Sequence, residues 1–378
     1  MFNWLFPSRI AVSAMFFFMG FIFASWASRI PVYKNQFHLN EAELGTVLFM
    51  LPLGSFIALP FAGWSVDRFG SRIMGVISTS GYGLALYALS QAQTSFSLSV
   101  MLFIFGFVGD TVNISMNTQA LDLQTAYRRP ILSSFHALWS LGALSGALLG
   151  GWTLKTQIDT EMHFLMVAIA VGALCFWSWF YLMPHDGRKE KGKKLLALPD
   201  RSLLVIGAVC LCCTLCEGAM ADWSALYYNQ VKVDATTIST TGFTAYVLMM
   251  AMGRFSGDRL VMAMGYRKVL ILDGIFVAGG MALALALKQP WLVIAGFGLV
   301  GFGVSTVIPI AYTAAAKSET MKASVALAAV STIGFTGFLI GPPLIGFIAH
   351  EIGLRAALAL VILLGIVIIV LARRAVRH

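Results

Sequence analysis

The sequence predicts an all-α membrane protein with twelve transmembrane helices, arranged as two pseudo-symmetric six-helix bundles. Three observations lead there. Of 378 residues, 58% are hydrophobic and only 11% charged, with a mean hydropathy of +0.82; soluble proteins carry about 25% charge. The apolar residues gather into twelve runs of a length suited to a hydrocarbon layer of roughly 30 Å, which about 20 helical residues cross. The second six runs also look like a copy of the first six.

The runs lie near 10–30, 44–66, 73–91, 97–121, 132–153, 163–183, 203–228, 238–257, 268–287, 291–315, 324–349 and 355–372. No small-x-small cleavage site follows the first run, so it is expected to stay as a helix and not leave as a signal peptide. The first run closes on Trp26-Ala27-x-Arg29-Ile30-Pro31. Arg29 reads either as an anion contact or, preferably, as a helix end at the outer interface. Between the second and third runs stands Gly63-x-x-x-Asp67-Arg68-x-Gly70-x-Arg72. Its glycines permit a tight turn and close helix approach. Its acid and bases can cap a helix end and pair, in bonds that break when the halves rock.

The fourth run carries GFVGDTVNISMNTQALD from Gly106 to Asp122. Asp110, Asn113 and Asn117 share one face of a helix at this spacing. A carboxylate at mid-span costs about 2.5–3.5 kcal/mol on insertion scales, so it is expected to face a pathway or a partner. The fifth run opens on His136-Ala137-Leu138-Trp139-Ser140-Leu141-Gly142 and continues through Gly146, Gly150 and Gly151. Small residues at this spacing let helices pack closely. The long loop 184–202 then divides the chain into an N-terminal bundle, 1–183, and a C-terminal bundle, 203–378.

The seventh run holds Cys210, Cys212, Cys213 and Cys216. With Cys175 they read as small packing residues; their crowding into apolar helices does not make a disulfide framework. The same run carries Glu217, Asp222 and Trp223. Between the eighth and ninth runs Gly257-Asp258-Arg259 is followed by Gly265 and Arg267, a looser copy of the first loop motif. Asp273 lies just beyond and reads as an interface residue. The eleventh run has Gly337-x-x-x-Gly341-Pro342.

Basic clusters orient the set. Arg68 and Arg72, Arg128 and Arg129, Arg188 to Lys194, Arg259 to Lys268, Lys317 and Lys322, and Arg373 to Arg377 all fall on one side of twelve spans, with both termini. That side is expected to be the cytoplasm. The net charge of +9 is therefore a topology signal and no reason to expect a nucleic-acid partner.

The duplication shows at an offset of 195 (301 − 106). Gly106-Phe107 falls on Gly301-Phe302, Thr111-Val112 on Thr306-Val307, and Thr118 on Thr313. Gly142, Gly146 and Gly151 fall on Gly337, Gly341 and Gly346. An offset of 197 (223 − 26) places Ala24-x-Trp26 on Ala221-x-Trp223. Internal repeats of this kind belong to secondary transporters.

The loop motif resembles the signature G-x-x-x-D-R-x-G-x-R of the major facilitator superfamily. The Trp26, His136 and Glu217-Gly218-Ala219-x-Ala221-Asp222-Trp223 stretches resemble its bacterial MosC-like branch, named for a protein linked to an inositol derivative; this likeness covers the whole chain. The fourth run is loosely similar to that of fucose permease-type proton–sugar symporters, although the acid which that group keeps in its first span is replaced here by Ser25 and Ser28. The fifth-run glycines resemble the antiporter motif G-x-x-x-G-P-x-x-G-G, with Ala147 in place of proline. The resemblance implies a central cavity lined by the fourth and seventh spans and a rocking, alternating-access cycle.

The candidate residues follow. Asp110, Glu217 and Asp222 are candidates for proton coupling, since burial disfavours the charged form of a carboxyl and suits it to proton exchange. Asn113 and Asn117 each donate and accept, which fits a hydroxyl-rich solute; interhelical bonding is the competing role. Trp26 and Trp223 read as stacking surfaces for a ring or as interfacial anchors. Gly63, Asp67, Arg68, Gly70, Arg72, Asp258 and Arg259 form the gating motif. His136 reads as packing near the cytoplasmic end of its span. No phosphate loop, metal-ligand spacing or nucleophile constellation occurs, so no enzyme, metal or cofactor is expected. The expected function is secondary active transport of a small sugar- or polyol-like solute across a bacterial inner membrane, proton-coupled and monomeric. A drug or metabolite efflux antiporter is the alternative, and a non-transporting sensor a third.

Overall fold

A computed structural model describes residues 5–128, 131–184, 201–231, 240–316, 318 and 323–375. The connecting loop at 185–200, with its run of bases, lies outside the described residues, as do Arg129, Lys232, Lys317, Lys322 and Arg377. The described residues form helices joined by turns. In order they are α1 (Leu5–Ala27), α2 (Ile30–Gln36), α3 (Glu41–Phe69), α4 (Ser71–Leu89), α5 (Ser95–Tyr127), α6 (Leu132–Lys155) and α7 (Thr160–Trp179). The second half adds α8 (Arg201–Val231), α9 (Thr241–Met264), α10 (Tyr266–Ala286), α11 (Pro290–Val304), α12 (Val307–Ala316), α13 (Ala323–Ile352) and α14 (Leu354–Ala375).

Twelve spans result, because α1 with α2 and α11 with α12 each make one. Ten are long and apolar enough to cross a membrane by length and composition; α4 and α9 complete the set. A helix satisfies its own backbone donors and acceptors, which hydrocarbon does not do for it. The helix ends are set by short polar signals. Asn40 and Glu43 exchange side-chain-to-backbone bonds of 2.9 Å at the start of α3. Thr94 and Ser97 do the same at α5. Asp159 caps α7 by accepting from Met162 N at 2.7 Å. Such reciprocal caps fill the orphan donors of a first turn. Gly70, at φ +88°, turns α3 into α4, and Gly265, at φ +79°, turns α9 into α10. A left-handed φ of this kind favours glycine, and the two turns are again 195 residues apart (265 − 70).

The chain clusters into two compact units. One gathers the residues up to Phe37 and those from Val47 through the first half; the other gathers His38–Thr46 and the second half. The first unit packs α1 on α6, α4 on α5 and α4 on α7; the second packs α8 on α13, α10 on α11 and α10 on α14. These are corresponding pairs. Glycines set the register. A Cβ on Gly106 would fall on the Leu51 carbonyl, and a Cβ on Gly301 on the Tyr246 carbonyl. Both members are shifted by 195 (301 − 106, 246 − 51).

The first helix of each half follows a slightly different offset. Gly142 closes on Phe17 O and Gly146 on Phe21 O; Gly337 and Gly341 approach Leu211 O and Leu215 O. The offset of α8 from α1 is thus 194 (211 − 17, 215 − 21). Continued past the end of α1, this offset makes Arg29 the position equivalent to Trp223 (223 − 29 = 194), whereas the match of Trp26 to Trp223 needs 197. At Gly20 the first half brings bare backbone against Trp139 O. At the corresponding Thr214 the second half uses a hydroxyl that donates to Gly334 O at 2.5 Å.

Candidate functional site

The fourth span, α5, is one uninterrupted helix of 33 residues. Its polar face is a hydrogen-bonded ladder. Asn117 Nδ2 donates to the Asn113 carbonyl at 2.9 Å and to Asn113 Oδ1 at 2.8 Å. Asn113 Nδ2 reaches Asp110 Oδ1 at a loose 3.4 Å. Asp110 is 9% exposed, and its Oδ2 is buried with no partner among the described residues. A buried polar atom left unpaired is costly. The ladder therefore ends in a carboxylate oxygen with free capacity, while half-buried Asn113 and Asn117 keep unused donors and acceptors. The arrangement can hold a hydroxyl or a proton at its Asp110 end.

The opposite face of α5 carries a polar residue that the sequence reading passed over. Gln119 donates to Ser71 Oγ at 2.8 Å and to Met183 O at 2.9 Å, and accepts from Met183 N at 3.0 Å. It ties α5 to the start of α4 and to the stretch just after α7. Its burial among glycine-rich helices was the available signal.

In the second unit Glu217 on α8 faces Arg254 on α9, with Arg254 Nη2 3.9 Å from Glu217 Oε1. The Cys213 thiol points at the same oxygen from 3.9 Å, one turn away. Arg254 is a mid-helix cation that the sequence reading also missed; its place in an apolar span was the signal. Glu217 therefore has a cation beside it, whereas Asp110 accepts from an amide on one oxygen and has its other oxygen unpartnered among the described residues. Asp222 is half-buried on the same helix. Cys175, Cys210, Cys212, Cys213 and Cys216 are all free thiols inside the packing.

Both tryptophans are buried in this structure. Trp26 is 2% exposed and lies against the rings of Tyr33 and Phe105, at 5.4 and 6.5 Å between centroids. Trp223 is fully buried, and its indole Nε1 has no partner among the described residues. Both rings fill helix seams, where a large apolar surface is worth most. Neither face is open in this structure.

Arg29 does stand at a helix end, between α1 and α2, but its side chain turns inward. It is 3% exposed and donates to His163 Nδ1 at 3.2 Å, Thr153 Oγ1 at 2.9 Å and Ile158 O at 2.9 Å. It pins the first span to the α6–α7 turn. His163 is buried beside it, with Nε2 unpartnered among the described residues. His136 is exposed and sits edge-on to Phe16.

The loop motif separates into exposed and docked members. Asp67 and Arg68 are exposed at the end of α3, with Arg68 over the rings of Trp64 and Phe69. Arg72 reaches back to α7, donating to the Trp179 carbonyl at 2.5 Å with its guanidinium 4.8 Å from the Trp179 ring. A Cβ on Gly63 would meet nothing, so Gly63 serves no close approach here. Arg259 is exposed, and the Asp258 side chain lies outside the described residues. Relative to the left-handed glycines, Asp258 sits one helical turn further from the turn than Asp67 does (265 − 258 against 70 − 67). Asp273, expected at the membrane interface, is instead 2% exposed within the second unit. Among the described residues no group of His, Cys, Asp and Glu is arranged to hold a metal ion.

A family model described as Major Facilitator Superfamily matches residues 10–261 and 223–377. An uncharacterized MFS-type transporter of Yersinia pestis is 32% identical over 376 residues, covering 98% of this chain and 96% of the relative. Membrane protein MosC of Rhizobium meliloti is 32% identical over 364 residues, covering 95% and 88%. Among solved structures, the nucleoside transporter NupG (D323A mutant) superposes with a TM-score of 0.76 at 12% identity, covering 96% of this chain and 98% of that one.

Proposed function

The chain belongs to the Major Facilitator Superfamily as a multi-pass secondary transporter and not an enzyme, and on that premise we propose that it carries a small hydroxyl-rich solute, sugar- or polyol-like, in a proton-coupled cycle. The observation that carries this reading is the ladder Asn117–Asn113–Asp110, which ends in a buried carboxylate oxygen without a partner. Amides that both donate and accept suit hydroxyls. A buried acid with a free oxygen suits proton exchange.

In this reading Asp110 is the coupling acid. Glu217, joined to Arg254, and Asp222 are further candidates. Asn113 and Asn117 contact the solute. Trp26 and Trp223 take part only if their seams open. Asp67 and Arg68, with Gly63, Gly70, Arg72, Asp258 and Arg259, form the gate, which breaks and re-forms as the halves alternate. The bundles 1–183 and 203–378, joined by 184–202, are the moving bodies. The proposed setting is a bacterial inner membrane, with both termini cytoplasmic by the distribution of basic residues. The carrier acts as a monomer, with a small solute, protons and lipid as partners and no nucleic acid. The efflux-antiporter alternative drew on the fifth-span glycines; Gly142 and Gly146 are occupied against Phe17 and Phe21 of α1 and Gly150 against Ser28 just beyond it, which gives them a packing role.

The test is a panel of sugars, polyols, nucleosides and organic acids on purified protein in vesicles holding a pH dye. A sugar or polyol is expected to enter with acidification of the receiving side. Asn113→Ala and Asn117→Ala each weaken its binding about tenfold. Asp110→Asn abolishes accumulation driven by a pH gradient while counterflow persists. Full gradient-driven accumulation in Asp110→Asn overturns the coupling assignment; unchanged binding in both asparagine variants overturns the solute assignment.

A further inference from the structure

The tenth span is broken where its counterpart is whole. The interruption falls at Ser305–Thr306, between α11 and α12, at the positions that correspond to Asp110–Thr111 (305 − 110 = 195). Its cause is in the sequence. Pro309 has no N–H to give the Ser305 carbonyl, and its ring crowds that carbonyl; the residue 195 earlier is Ile114. In secondary transporters, discontinuous spans hold substrate and coupling ions on unwound carbonyls and half-helix ends.

An acid meets this break. Thr306 Oγ1 donates to Asp273 Oδ2 at 2.5 Å, from α10. Asp273 is 2% exposed and makes no ion pair among the described residues. Among the described side chains, the titratable groups on the elements packed against α10 are Tyr246, Arg254 and Arg259 on α9, Tyr312 on α12, and Arg355 and Arg373 on α14; α11 has none. Arg254 is turned to Glu217, Arg355 donates to the Leu285 and Ala286 carbonyls, and Arg259 is exposed. On α10 itself Arg267 and Lys268 are exposed. From α8 the Cys213 thiol donates to the Val304 carbonyl at 3.5 Å, at the lip of the break.

The first unit shows what Thr306 gives up. There Thr111 Oγ1 donates to the Phe107 carbonyl one turn back, at 2.9 Å. In the second unit Ser305 Oγ occupies the corresponding Phe302 carbonyl at 2.6 Å, and the Thr306 hydroxyl hydrogen goes to Asp273. A threonine hydroxyl has one hydrogen to give. A protonated Asp273 would donate its own hydrogen to Thr306 Oγ1 and release the Thr306 hydrogen to a carbonyl of the preceding turn. Small residues leave the moving parts room: Gly253 lies against Ser305, and Gly257 against the Thr306 methyl.

We propose that Asp273 is a second proton-loading site, and that taking up one proton reverses the Asp273–Thr306 hydrogen bond and lets the Ser305–Thr306 turn tighten onto α11, with the Ser305 carbonyl still lacking an N–H from Pro309. The proton taken up forms one O–H bond on Asp273 and is given back when the acid ionises again; the Thr306 hydrogen stays on its own oxygen, and only its acceptor changes. The proposal rests on the carrier reading only in making this proton part of a transport cycle.

The test is amide hydrogen exchange at Ser305 to Ile308 in purified protein at two pH values, expressed as protection relative to the intrinsic rate. In the wild type, protection is expected to rise about tenfold on acidification. Asp273→Asn and Thr306→Val should each lose this pH dependence. The infrared difference between the same two pH values should lose one protonated-carboxyl band in Asp273→Asn. Thr306→Val keeps the acid, so it decides the matter if Asp273→Asn does not fold. Wild-type pH dependence in either variant, or none in the wild type, overturns the proposal. Asp110→Asn should keep the pH-dependent protection while losing gradient-driven accumulation, which separates this site from the coupling acid of the first unit.

Discussion

The fourth and tenth spans hold equivalent places in their own halves and differ in one respect. Each approaches the second helix of its own half through a glycine laid on a carbonyl, Gly106 on Leu51 and Gly301 on Tyr246. Each has a threonine at the same place, Thr111 and Thr306. The first carries its acid on its own face, next to two amides, and stays continuous. The second has Pro309 four residues after Ser305, breaks there, and takes its acid from the neighbouring α10. Close packing preserved the register because a carbonyl against bare backbone tolerates no side chain. The polar chemistry drifted because hydrogen-bond partners can be supplied from either helix of a pair.

The largest test copies the break into the intact span. Ile114→Pro removes a helix bond and adds a ring clash in α5, at a cost of about 3 kcal/mol or more. Folded yield in detergent should fall steeply, with the ladder lost in what remains. Normal yield and binding would mean that α5 need not be continuous. Next come the shared contacts. Gly106→Ala and Gly301→Ala each push a methyl into a backbone carbonyl and should cost about 1–3 kcal/mol, read as matched drops in Tm. Tolerance of one and not the other would break the equivalence of the two units.

The threonines sharpen the difference. Thr306→Val leaves the Asp273 carboxyl without its donor and should cost about 1–3 kcal/mol. Thr111→Val removes only a bond back to its own helix and should cost about 0.5 kcal/mol or less. Equal shifts in Tm would deny Asp273 its special place. The smallest effect compares the loops. Arg72→Lys loses the guanidinium stacking on the Trp179 ring and weakens the donation to the Trp179 carbonyl, for about 1 kcal/mol. Exposed Arg267→Lys should be neutral within about 0.5 kcal/mol.

Membrane class, span number, loop signature and internal repeat were all legible in the sequence, because each depends on local composition and spacing. A run of 20 apolar residues is long enough to span whatever lies beside it, and i, i+3, i+7 spacing places Asp110, Asn113 and Asn117 on one face before any neighbour is known. The left-handed turns at Gly70 and Gly265 were visible as glycines in corresponding loops. Pro309 was equally visible, and its consequence was missed because a proline inside a span bends or breaks it according to what surrounds it.

Direction and partnership belonged to the tertiary structure. Hydropathy does not say which way a side chain turns. It left Arg29 at an interface when His163, Thr153 and Ile158 draw it inward. It left Trp26 and Trp223 open to a ring or to lipid when helix seams close over them. It set Glu217 beside Asp110 as a like candidate, before Arg254 was seen to face Glu217. Asp273 became more than a loop-proximal acid only when α10 was packed on the broken span and Thr306 met it. These contacts join residues 33 to 134 positions apart. Local pattern determines that an element forms and which face is polar; the energy of each polar group depends on the distant atom that satisfies it, and only the packed chain supplies that atom.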